Sequence, residues 1–208
     1  MKKYAILIMI LFMGYHASSY AQAVDDRAVV PLSVTLNSIL RLNIESGGNI
    51  EFNFNTLEQY QNGINSSLSS DQYATLLTVA SSVNFDLSMG AEDTRLVSTD
   101  TVNALGGMPL GHIVYNVEMQ GSLTNNNVTL TSSPTALSQI QDAEANEIVQ
   151  PDGTNAGGVT ANAFRVNWAC GVPTSVSGFS GTEGALMGSE FTGGRYSTNI
   201  FFVLEPTD

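Results

Sequence analysis

Leu40-Arg41-Leu42-Asn43-Ile44, then Ser46-Gly47-Gly48-Asn49, then Ile50-Glu51-Phe52-Asn53-Phe54, is the stretch that decides the fold class of this chain. Apolar and polar residues alternate on both sides of a Gly-Gly pair. A period of two sends neighbouring side chains to opposite faces of an extended strand. The stretch therefore reads as a hairpin with one face in a core and one in water. The same alternation recurs in residues 30–36 (Val30, Leu32, Val34, Leu36), 83–89, 113–119, 164–168 and 196–204, and more weakly in 75–80 and 128–131. Gly106-Gly107, Asn125-Asn126-Asn127, Pro151-Asp152-Gly153 and Gly193-Gly194 punctuate these runs as turns. Helical pattern is scarce. Ser133-Pro134 reads as a cap opening a short helix over 135–143. The expectation is an all-β, antiparallel sandwich of Greek-key, Ig-like character, with seven to nine strands. A closed barrel fits the same pattern. Residues 55–70, 93–111 and 142–161 read as long polar loops.

The ends and the charge narrow the class. Lys2 and Lys3 precede an apolar run over 4–13 and a small-residue stretch closing on Ala21-Gln22-Ala23. That is the layout of a secretory signal peptide, residues 1–23, before one sandwich domain over 24–208. The apolar run is too short for a membrane-spanning helix, and no second long one follows. Beyond the leader the chain has no lysine, one histidine (His112) and one cysteine (Cys170). The formal charge is -12, and loss of Lys2 and Lys3 makes it more acidic still. Nucleic acid and anionic membranes, which call for clustered Lys and Arg, are poor partners. The expected location is exported: cell surface, extracellular space or periplasm. Cys170 has no internal partner and reads as a small buried hydrophobe.

Chemistry-bearing residues are few. His112 reads as a strand-end histidine without a nucleophile elbow near it. Glu45, Glu51, Asp86 and Glu118 lie on polar strand faces, where no spacing selects the facing carboxylate pair that glycoside hydrolysis needs. No cofactor is expected. Calcium has one candidate loop, Asp152, Thr154 and Asn155 with Glu144 and Glu147, but Pro-Asp-Gly is first a turn and the full EF-hand spacing is absent. Trp168 alternates in phase with Phe164 and Val166 and belongs to the core. Tyr60 and Tyr73, flanking a polar stretch, are the better-placed glycan contacts. Residues 30–36 form an alternating strand carrying Pro31, which marks an edge or a donated strand. Completion of the chain's own sheet is the first expectation for them, and donation to a neighbour by β-augmentation the second.

The strands 40–44, 50–54 and 83–87, with the ending from Gly193-Gly194-Arg195-Tyr196 to Leu204, resemble secreted β-sandwich proteins of Gram-negative bacteria, in the style of spore-coat-protein-U-like and fimbrial subunits. The chain departs from the usual pilin pattern in lacking paired cysteines. The resemblance implies a sandwich that assembles outside the cell. The function expected is an exported, non-enzymatic surface or extracellular structural subunit, fimbria-like or adhesive, whose partners are copies of itself or other surface proteins. A carbohydrate-binding module comes second and a carboxylate-dependent glycoside hydrolase third.

Overall fold

The computed structural model describes residues 30–65, 71–99, 107–124, 127–140, 146–173, 183–189, 191 and 193–207. The chain divides into two units, residues 1–36 and Asn37–Asp208. Of the first, only residues 30–36 are described, and they belong to no strand.

The second unit is antiparallel β. In chain order it runs β1 (Leu40–Ser46), α1 (Leu57–Asn62), β2 (Ile64–Asn65), β3 (Ala74–Ser81), β4 (Phe85–Ala91), β5 (Arg95–Ser98), β6 (Met108–Pro109), β7 (Ile113–Met119), β8 (Val128–Leu130), β9 (Thr135–Ala136), β10 (Glu147–Pro151), β11 (Ala163–Cys170), β12 (Tyr196–Ser197) and β13 (Ile200–Pro206). One sheet has the order β1-β3-β11-β7-β9, with β2 also on β11; the second is β13-β4-β10-β8; a small third is β12-β5-β6. Phe164, Val166 and Trp168 of β11 and Leu77 and Val79 of β3 share one buried cluster with Phe85, Leu87 and Met89 of β4 and Ile148 and Val149 of β10. The inner faces of the two large sheets thus make a single sandwich core.

β11 is paired on both sides, to β3 and to β7. Its core-facing residues are fully or nearly buried, as the alternation required. Trp168 donates its indole N–H to Thr75 Oγ1 at 3.0 Å, and Thr75 in turn donates to the Gly47 carbonyl at 2.8 Å. Gly47 has φ of 70°, and a Cβ there would lie 1.9 Å from the Ala74 carbonyl oxygen, so only glycine fits beneath β3.

Several sequence expectations are corrected. Residues 51–55 form no strand, so Ser46-Gly47-Gly48-Asn49 is not a hairpin turn. The alternation there survives as anchoring: Phe52 stacks on Tyr73 with ring centroids 4.8 Å apart, and Phe54 tilts against Tyr60 at 5.3 Å. The helix expected from Ser133-Pro134 is instead β9, pairing with β7, because two ladder partners were open there; residues 141–145 lie outside the described part. The supposed loop 142–161 contains β10, and 93–111 contains β5 and β6. The supposed loop 55–70 begins with α1, where Thr56 and Gln59 form a reciprocal capping box.

A buried asparagine closes the second sheet. Asn155 is fully buried; its Oδ1 accepts from the Phe85 N–H at 3.0 Å and its Nδ2 donates to the Phe85 carbonyl at 2.7 Å. The side chain stands in for a ladder partner. Asn155→Ala leaves both Phe85 groups without one, and each buried orphan costs about 1–3 kcal/mol. Urea unfolding of the variant should show a loss of that order; a change of only a few tenths would refute the assignment.

Candidate functional site: two open sheet edges

Val30, Leu32, Val34 and Leu36 are 85%, 91%, 75% and 90% exposed. Four large apolar side chains in strict alternation are left in water, in a segment that belongs to no strand. Such a segment is a template for pairing with another chain.

Four strands end the two large sheets among the described residues, β1 and β9 in the first and β13 and β8 in the second; β9 has two residues and β8 three, so β1 and β13 are the two long edges. They lie against each other at the same margin of the sandwich. The ladder parity identifies which backbone groups each presents. Glu92 N donates to Asn199 O, and Thr207 N donates to Asn84 O, both at 2.9 Å. The odd-numbered residues of β13 therefore bond β4, and Ile200, Phe202 and Leu204 aim their N–H and C=O groups at the free edge. Their side chains sit opposite Ala91, Met89 and Leu87, on the core face, yet all three stay only half-buried. Pro206 falls at the next outward position, where its missing N–H costs no bond. In β1, Ser82 N donates to Ile39 O at 2.9 Å, so Leu40, Leu42 and Ile44 aim outward in the same way. The edge of β1 is broken by a bulge between Ile44 and Ser46, whereas β13 pairs with β4 from Ile200 to Pro206 without a shift.

The other candidates are used in packing or stand apart. Tyr60, on α1, rests on Phe54 and is partly exposed; Tyr73 is stacked on Phe52. The two rings are thus held by different phenylalanines. His112 is buried, its Nδ1 is 3.1 Å from the Gly184 carbonyl, and its ring meets Phe191 edge-on at 5.4 Å. Cys170 is buried. In the calcium candidate, Asn155 commits its side chain to Phe85, Thr154 O accepts from Asn127 Nδ2 at 2.9 Å, and Glu144 lies outside the described residues. Glu147 accepts from Gln150 Nε2. Glu45 and Asp86 lie on different sheets. Hydrogen bonds from Thr78 and Asn43 hold the Glu45 carboxyl below its ordinary value.

Sequence reading singled out the alternation of 30–36, with completion of the chain's own sheet as its first expectation, and did not single out the edge of β13. The alternation of 200–204 announced a strand; only the proline closing it hinted at an edge. Against known proteins, no family model matches the chain and no curated protein is significantly similar to it.

Asp86 lies directly opposite Glu205 across β4 and β13. Burial first, and then the Glu147 and Glu205 carboxylates, push its pKa up. The folded state therefore binds a proton more readily than the unfolded chain there, and this group's contribution to stability grows as pH falls through the raised value. Asp86→Asn should be more stable than the parent at neutral pH, with the gap closing as the pH approaches about 4, the unfolded Asp range. Urea midpoints measured across that window check it; a gap independent of pH would contradict the sign.

Proposed function

We propose that this chain is an exported, non-enzymatic structural subunit of the cell surface or extracellular space, which assembles by lending residues 30–36 to another subunit. The observation that carries the reading is the pairing of two incomplete parts in one sequence. One is an alternating apolar segment exposed in water. The other is a sandwich margin whose backbone donors and acceptors have no partner among the described residues. Each is costly alone, since unpaired edges and exposed apolar strands promote association. Both costs vanish if one fills the other in a neighbouring copy. The leader-like residues 1–23 and the acidic, lysine-poor remainder support an extracellular setting.

Deletion of residues 24–36 behind an intact leader tests the reading. Size exclusion and negative-stain imaging of the intact chain should give large oligomers or filaments. The truncated chain should be monomeric, with an unfolding midpoint within experimental error of a monomeric parent, because those residues contribute no strand to their own sandwich. An intact chain that stays monomeric at high concentration would overturn the proposal. Glycan retention of such a monomer, lost in Tyr60→Ala, would move the assignment to a carbohydrate-binding module.

Leu32→Asp offers a gentler variant. A charge placed among the alternating apolar residues should reduce assembly at least tenfold by light scattering and leave the circular dichroism spectrum unchanged. Assembly at the parental level would show that the apolar face of 30–36 is not used.

A further inference from the structure

The assembly reading leaves open where the lent strand lands, and the ladder parity constrains it. We infer that residues 30–36 of one copy add to the free edge of β13 in a second copy, antiparallel to it, with Leu32 opposite Leu204, Val34 opposite Phe202 and Leu36 opposite Ile200. The inference rests on the proposed function above.

The choice of β13 over β1 follows from continuity. β13 presents outward backbone groups at Ile200, Phe202 and Leu204 along an unshifted strand of seven residues, the length of the segment 30–36. β1 is interrupted by its bulge, and its last residues are exposed and polar. Bulges are among the devices that blunt an edge. The half-buried side chains of Phe202 and Leu204 also leave apolar surface for Val34 and Leu32 to cover.

Pro31 sets the direction. In an antiparallel pair, opposed residues aim their backbone groups either at one another or away. Ile200, Phe202 and Leu204 aim outward, so their partners are the residues on the same core-facing side, Leu36, Val34 and Leu32. Pro31, Ser33 and Thr35 then turn their backbone groups away from β13, and the missing proline N–H leaves no gap in the ladder. In a parallel pair the bonds would go to residues 31, 33 and 35, and Pro31 would leave an acceptor empty.

A second copy is the occupant for a reason of chain length. Three residues, Asn37, Ser38 and Ile39, separate the segment from β1. A return onto β13 of the same chain would leave only Asn37 and Ser38 free between the segment and the ladder, because Ile39 is already tied to Ser82 through both its N–H and its carbonyl. A neighbouring copy carries no such constraint.

Disulfide trapping tests this. Thr35 and Phe201 would form an opposed pair that aims its backbone groups away, with Cα atoms about 4.5 Å apart, within the range of about 4.4–6.8 Å that a disulfide bridges. Differently tagged Thr35→Cys and Phe201→Cys chains are co-produced with export, oxidised and resolved without reductant; the native Cys170 is buried. The expected result is an inter-chain product carrying both tags, at least tenfold over the Thr35→Cys with Glu205→Cys pair. A reversed preference, for Glu205, would mean a parallel strand and overturn the inference. Assemblies that form with neither link would place the acceptor elsewhere, overturning the inference while the proposed function stands. A link formed within one chain of the double variant would mean self-completion and overturn it as well. Failure of the unmodified chain to assemble would remove the proposed function, and the inference with it.

Discussion

Every extended backbone segment must place its N–H and C=O groups somewhere, and that requirement shapes this molecule from centre to margin. At the centre, β11 meets it completely: β3 and β7 flank it, and its alternate side chains fill the core with Phe164, Val166 and Trp168. One step out, where β10 does not reach the start of β4, a fully buried asparagine side chain supplies both bonds to Phe85. At the outermost strands the requirement goes unmet. Among the described residues, the two long edge strands β1 and β13 present backbone groups with no strand beside them, and Asn162 Oδ1 and Thr207 Oγ1 are buried without a hydrogen-bond partner.

The polar residues on the outer face of the central strand follow the same logic. Arg165 reaches Asp71 at 2.6 Å and also donates through Nε to Asn167 Oδ1 at 2.7 Å, while Asn167 donates to Asn116 at 3.1 Å. This row links β11 to its neighbours without adding charge to the core. It also absorbs one of the five arginines that follow the leader-like residues.

Period-two alternation made most of the sandwich legible: β1, β4, β7, β11 and β13 all coincide with runs read from the sequence. It failed where alternation had another cause. Phe52 and Phe54 alternate because each is pinned against an aromatic ring, and a pinned coil and a paired strand leave the same trace. The reverse failure is β10, where a register shift between Glu147 and Val149 puts Ile148 and Val149 both inside, so no alternation exists to read. The Ser-Pro start signal at residue 133 was overridden by an available edge on β7, a tertiary effect invisible in local pattern. The helix α1 was readable from Thr56 and Gln59 and was passed over because six residues make a faint period. Of the candidate site, the alternation of residues 30–36 was plain in the sequence, but their exposure was not. The open edge of β13 was hidden because openness is a property of what a strand lacks beside it.

Cys170, the chain's one thiol, has a further consequence. It is buried at the end of β11, and burial pushes its pKa up to about 12. The thiolate is the reactive form, so in the folded state the sulfur is doubly protected, by access and by ionisation. An alkylating reagent reaches it at the rate at which the region around β11 opens. The native protein thus carries its own internal clock of core opening, readable by mass without labels or engineered probes, in a monomer or in an assembly alike.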